Sequence, residues 1–176
     1  NIGVAEILVK LVLEGIDEPK GSSPQGLSPQ RILDLYCGSG LFSLAIAKTG
    51  ASVTAIEENR QAIADAETNV RLNRLPTGQI RFIAARVEDT LVRVGKEPWD
   101  AVVLDPPRQG CPPAVIAGVV ERMRPKRVVY VSCSPDALAE ELPVILKTGY
   151  RVTRVQPVDM FPHTDHIETV MTFARA

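Results

Sequence analysis

The chain carries several short stretches whose residue types and spacing could do chemistry. Asp34-Leu35-Tyr36-Cys37-Gly38-Ser39-Gly40 follows an apolar run and leads directly into a helical pattern. Gly38 and Gly40 let backbone N–H groups and a helix N-terminus come close to a ligand, as dinucleotide sites require. About twenty residues on, Ile56-Glu57-Glu58 closes the next apolar run. A carboxylate there can accept hydrogen bonds from both ribose hydroxyls of a nucleoside. Leu41 and Phe42 follow where the nicotinamide fingerprint has its third glycine, so a different nucleoside-bearing ligand is expected.

Three further stretches could act on a substrate. Asp105-Pro106-Pro107-Arg108 must end a strand, because two prolines cannot continue a central ladder, and Asp105 then stands at its carboxyl edge. Ser132-Cys133-Ser134-Pro135 sets a thiol between a strand and a helix. There the positive helix N-terminus would favour the thiolate. Asp159 to Glu168 crowds polar and aromatic residues before the last strand, which Glu168 opens. Taken singly, each has an ordinary structural explanation: a tight turn, a capping Asp, a packed cysteine, a solvated hairpin loop. Together they point to one ligand-binding edge.

Alternating elements must position them. Val- and Ile-rich runs at 31–36, 51–57, 79–84, 99–104 and 127–132 are separated mostly by amphipathic stretches at 40–49, 58–74, 112–123 and 135–147. That alternation predicts right-handed βαβ units, hence an α/β fold with a parallel sheet. Tyr150–Pro157 and Glu168–Ala174 read as two strands with no helix between them, an antiparallel hairpin added to the sheet. Residues 2–16 form a leading amphipathic helix with Ile2, Ala5, Leu8, Val9, Val12, Leu13 and Ile16 on one face. Eight of the fourteen residues from Asp17 to Gln30 are Pro, Gly or Ser, which predicts a loop. The main domain is then 31–176.

Composition excludes several classes. With 176 residues, 45% of them hydrophobic, and a net charge of −1, this is one domain with a core and not a disordered segment. No run is long enough to span a membrane as a helix, and no secretory leader opens the chain. Near-neutral charge excludes a domain held on phosphate by overall positive charge. Three separated cysteines without a Cys-x-x-Cys pair argue against disulfides and point to a reducing, cytoplasmic setting. No metal site is expected, since only His163 and His166 could complete one. Asn1 in place of Met suggests processing or a piece of a longer protein.

Together, Asp34–Gly40, Glu57, Asp105–Arg108, Ser132–Pro135 and Phe161–Glu168 resemble the RNA uracil-5 methyltransferase family, in its order and spacing from about Arg31 to the C-terminus. The resemblance implies a Rossmann-like class I methyltransferase fold: a mostly parallel seven-stranded sheet, helices on both faces, an antiparallel C-terminal hairpin. It implies S-adenosylmethionine as cofactor, with Asp34, Tyr36, Gly38, Gly40, Leu41, Glu57 and Asp105 at its site and Glu57 on the ribose. It implies that Cys133 adds to carbon 6 of a uracil, which makes carbon 5 nucleophilic, and that Glu168 removes the carbon-5 proton after methyl transfer. The target base must leave any stack to reach Cys133, so the partner is RNA with a flipped or single-stranded uridine.

Departures and alternatives follow from the same residues. Relatives often carry a polar residue where Leu41 stands, leaving only backbone contact there, and many carry a smaller polar one in place of Arg86. The family's Phe-Gln-x-Asn would precede the leading helix, so its Gln, an RNA-binding β-barrel and any iron–sulfur segment would lie outside this chain. Arg108 replaces the base-stacking aromatic of exocyclic-amine methyltransferases, which argues against amine chemistry. Met160 to Thr164 resembles large-subunit rRNA enzymes, so rRNA is the first expectation and tRNA the second. Cytosine-5 methylation would leave Glu168 without a role. A silent cofactor- or RNA-binding module would leave both Cys133 and Glu168 without one.

Overall fold

Val- and Ile-rich runs buried on both faces make the centre of a parallel sheet, and that is where this chain places them. A computed structural model describes residues 2–17, 30–160 and 167–176. Seven strands form one sheet: β1 Arg31–Leu35, β2 Ser52–Glu57, β3 Ile80–Ala84, β4 Ala101–Leu104, β5 Arg127–Ser132, β6 Tyr150–Val158 and β7 Glu168–Arg175. Their order is β3-β2-β1-β4-β5-β7-β6. The first five strands pair in parallel, while β7 runs antiparallel to both β5 and β6. The expected α/β architecture and terminal hairpin are thus present.

Within that hairpin, composition decides which strand goes inside. β7 is buried along almost its whole length and fits between two neighbours, whereas β6 alternates and carries exposed Arg151, Val155 and Pro157. Charge, proline and a register irregularity between Val152 and Arg154 suit β6 to an unpaired edge.

Helices cover both faces. α1 Ile2–Ile16, α2 Leu41–Lys48 and α3 Arg60–Leu72 lie on one, with Leu8, Val12, Phe42, Ile46 and Ile63 buried against Val53, Val103 and Val129. α4 Val87–Val94, α5 Pro113–Ala117 and α6 Pro135–Lys147 lie on the other, where Leu91, Val115, Leu138 and Ile145 meet Leu33, Val102 and Tyr130. A π-helical turn, Gly118–Met123, continues α5. Leu11, outside the predicted apolar face of α1, is buried as well.

α4 is absent from the sequence-based expectation. Its eight residues show little more than one turn-to-turn repeat, with Val87, Leu91 and Val94 inward. Glu88 and Asp89 in its first turn and Arg93 in its last complement the helix dipole. The predicted loop after α1 falls almost wholly outside the described residues, as does Phe161–His166 of the last motif.

Candidate active site

The carboxyl ends of β1, β2 and β4 open onto a cleft of about 670 Å³, lined by Tyr36, Glu57, Arg86, Val87, Asp105 and Pro107 among others. Its floor is shaped by the turn after β1. Tyr36 adopts a left-handed φ of 65°, and the Cys37 N–H donates to the Ile56 carbonyl at 3.0 Å, tying the turn to β2. The Gly38 N–H donates to Glu57 Oε2 at 3.1 Å, and the Asn59 N–H donates to Oε1 at 2.8 Å. Backbone donors from two loops therefore hold the carboxylate at the strand tip.

The two glycines serve different ends. Gly38 has φ +52°, and a Cβ there would meet nothing within 4 Å, so its freedom faces open space where a ligand can approach. Gly40 has φ +89°, and its Cβ would lie 2.6 Å from Leu44 Cδ1 and 3.2 Å from Ala66 Cβ. It permits α2 to pack against α3. Leu41 is 48% exposed and lines a separate groove with Val9 and Leu13. Asp34 is fully buried and accepts a hydrogen bond from Ser43 Oγ, so it braces the first turn of α2. Burial pushes its carboxyl up to about 7, against the opposing Ser43 hydrogen bond.

Pairing across the sheet assembles the other residues. In the antiparallel register Ser132 faces Thr169, so one step farther the two strands reach Cys133 and Glu168. In the parallel register Leu104 faces Tyr130, which sets Asp105 on the adjacent strand at the same edge. Residues separated by dozens of positions thus converge beside the cleft. Burial holds Asp105 up at about 7, helped by the negative charges of Asp34 and Glu168. Glu168 is also raised by burial, while the Arg108 guanidinium pulls it down.

Cys133 departs from the electrostatic expectation. Pro135 opens α6 and Ser134 caps it, so the helix N-terminus is where the sequence puts it. Yet the thiol is raised, first by burial and then by Glu168, with Asp105 adding to this and Arg108 opposing it. Burial, with Glu168 next, outweighs the Arg108 guanidinium. A thiolate there is a more basic nucleophile, formed more readily as pH rises.

Some lining residues were not predicted. Glu88 joins the far wall beside Arg86, whose guanidinium lies 3.6 Å from it, and Gln109 to Pro113 form the near wall. The Val87–Leu91–Val94 spacing is the sequence signal for that far wall, since it places a helix N-terminus at the cleft. Among the described residues no helix is long and apolar enough to cross a membrane, and no group of three His, Cys, Asp or Glu could hold a metal ion.

This sheet order and edge have close parallels. Residues 25–176 match the profile of the tRNA (uracil-5-)-methyltransferase family. The chain belongs to that family. A member from Gloeobacter violaceus, an uncharacterized RNA methyltransferase, is 39% identical over 98% of this chain and 35% of its own length. Another, from Geobacter sulfurreducens, is 44% identical over 80% of this chain and 28% of its own. The chain therefore spans about a third of the curated family members it matches. The crystal structure of Pyrococcus abyssi tRNA (uracil-54, C5)-methyltransferase in complex with S-adenosyl-L-homocysteine superposes with TM-score 0.79 at 31% identity, over 97% of this chain and 38% of that one. The methyltransferase domain of bacterial CtHen1-C covers both chains fully at TM-score 0.70 and 16% identity, a likeness of fold alone.

Proposed function

We propose that this family member is the catalytic part of an S-adenosylmethionine-dependent RNA methyltransferase acting on carbon 5 of a uridine. The observation that carries the reading is the meeting of Asp105, Cys133 and Glu168 at one sheet edge, beside a cleft with a ribose-type carboxylate.

The cleft fits the cofactor. Its volume of about 670 Å³ is in the range of cofactor pockets, ~300–1,000 Å³. Glu57 has lone pairs left for ribose hydroxyls after accepting the Gly38 and Asn59 amides, and Gly38 leaves room for close approach. Tyr36, whose hydroxyl is buried without a well-formed partner, lines the cleft with Asp105. Asp34 supports the turn from beneath, Gly40 supports it through helix packing, and Leu41 offers its backbone. Bound S-adenosylmethionine supplies an electrophilic methyl group on a cationic sulfonium, which the acidic edge suits.

The chain's own residues divide the remaining work. The Cys133 sulfur adds to carbon 6 of the uracil, and the ring's electrons then make carbon 5 a nucleophile. Once carbon 5 carries the methyl group, Glu168 takes its proton and the carbon–sulfur bond breaks, returning Cys133. Arg108 opposes the upward shifts of Cys133 and Glu168. RNA is the partner, reached as a flipped or single-stranded uridine in a cytoplasmic setting. The Met160 to Thr164 resemblance favours large-subunit rRNA, with tRNA second.

Cys133→Ala in the full-length protein is expected to abolish methyl transfer while S-adenosylhomocysteine binding stays within about threefold. Retained transfer would remove Cys133 as nucleophile. Glu168→Gln is expected to accumulate a covalent RNA–protein adduct, seen as a denaturation-resistant band; free turnover would remove Glu168 as base. Mapping 5-methyluridine in rRNA and tRNA with and without the gene decides the substrate.

A further inference from the structure

The loop after β4 forms the near wall of the cleft, and the proposed roles of Asp105 and Arg108 leave its anchorage unexplained. The Gly110 N–H donates to the Pro107 carbonyl at 2.9 Å, closing a tight turn with Arg108 and Gln109 at its corner. Gly110 adopts φ +79°. Immediately after it, the Cys111 N–H donates to Glu141 Oε1 at 2.7 Å, although thirty residues separate them in sequence. The same oxygen lies 2.1 Å from where a Gly110 Cβ would stand, so glycine is the residue that lets the carboxylate approach.

Glu141 stands on α6, whose first turn directly follows Cys133. Two residues before this helix stands Cys133, and about two turns farther along the helix grips the near wall. Behind the grip, Tyr36, Tyr130 and Cys111 surround Glu141, and the Tyr130 hydroxyl joins the Cys111 amide in favouring its carboxylate against burial. Cys111 and Tyr130 are both nearly inaccessible, at 6% and 0% exposure. Burying part of a carboxylate there is costly, and the hydrogen bonds from the Cys111 amide and Tyr130 offset that cost only while the turn stays in place.

We propose that Glu141 is a positioning residue that clamps the Pro107–Cys111 turn to α6 and thereby fixes the cleft wall and Arg108 relative to Cys133. This rests on the reading of the site given above. The clamp needs an acceptor oxygen at the end of a three-bond side chain, so Gln can replace Glu and Ala cannot. Losing it frees the Cys111 amide and lets the turn and Arg108 drift from the edge.

The test compares Glu141→Ala and Glu141→Gln in the full-length protein. Three readouts are used: amide exchange over 107–112, S-adenosylhomocysteine affinity, and the pH profile of adduct formation with RNA. Glu141→Ala is expected to speed exchange in that turn, weaken binding by about tenfold, and shift the adduct profile to higher pH as Arg108 recedes. Glu141→Gln is expected to stay within about threefold of wild type in binding, with its profile unmoved. If Glu141→Ala does not fold, a folded Glu141→Gln with wild-type exchange and profile supports the acceptor role, and a Gln variant with a freed turn overturns it. Wild-type behaviour of a folded Glu141→Ala also overturns it. An active Cys133→Ala would instead overturn the site reading, whatever the Glu141 variants do.

Discussion

The two halves of the sheet's carboxyl edge are built on opposite electrostatic plans. On the β1–β2 side, Glu57 is held by the Gly38 and Asn59 amides, donors that come from loops within a few residues of the strands they follow. On the β4–β5–β7 side, Asp105, Cys133 and Glu168 are all raised by burial; Glu168 also raises Asp105 and Cys133, and Asp105 also raises Cys133. Arg108 is the cation that opposes this at Cys133 and Glu168. In the first half the Glu57 carboxylate is already held by backbone donors before any ligand arrives. In the second, the raised groups are of the kind that the proposed proton transfers would use.

That contrast can be broken from either side. The largest effect outside Cys133 and Glu168 is expected from Glu57→Ala. Cofactor-product affinity in calorimetry should fall by roughly 10–100-fold, the loss of hydrogen bonds to a charged acceptor. Single-turnover methylation at saturating cofactor should stay within about threefold. A matching fall in both would mean that the halves are not separate in function.

The loaded half should show itself in pH. Because the Cys133 thiol lies above its ordinary value, adduct formation is expected to rise by about tenfold per pH unit from pH 6.5 to 8.5, the slope of one ionising group. Arg108→Gln removes the cation that lowers the thiol, so the profile should move to higher pH. A flat profile, or an acid-ward shift in the variant, would contradict the assignment.

The glycines sharpen the contrast within the binding half. Gly40→Ala meets Leu44 and Ala66 at φ +89° and should cost about 2–4 kcal/mol of stability, the sum of backbone strain and overpacking. Gly38→Ala meets no neighbour and should cost about 1 kcal/mol from φ alone, yet weaken cofactor-product binding more than Gly40→Ala does. Denaturant melts and calorimetry on both variants separate the two costs.

The smallest effect on ligand binding is expected at Asp34, where the change is one of stability. Its folded carboxyl titrates at about 7, above its unfolded value near 4, so the native state keeps a proton that the unfolded chain has released. The resulting stability is fully present below pH ~4 and is lost as pH rises through about 7. Asp34→Asn removes that loss and should raise the melting temperature by a few degrees at pH 8, with little change at pH 4. An equal shift at both pH values would mean that the carboxyl is not held protonated.

How much of this was legible depends on how locally each feature is encoded. The binding half lies within Asp34 to Asn59, where a strand, a glycine turn and an acidic strand tip follow one another, and reading along the chain finds them. Even there, sequence grouped Gly38, Gly40 and Leu41 together, whereas packing leaves Gly38 facing open space and puts Gly40 at the α2–α3 contact, beside the separate groove that Leu41 also lines. α4 was missed because eight residues offer too few turns for periodicity to stand out. The sign of the Cys133 shift was missed because a helix dipole is visible in sequence, while the burial and the neighbouring carboxylates come from strands that only the fold brings near.

Sequence alone determined the α/β alternation, the terminal hairpin and the residue types at each strand end, because these rest on periodicity, turn chemistry and proline's missing donor. Only the tertiary structure decided that β7 lies inside β6, and with it the register that carries Cys133 to Glu168. It alone brought Glu141 to the Cys111 amide. The physical reason is the same in each case. Pairing partners and burial are properties of segments far apart in the chain, and their energies exist only once the sheet has closed around them.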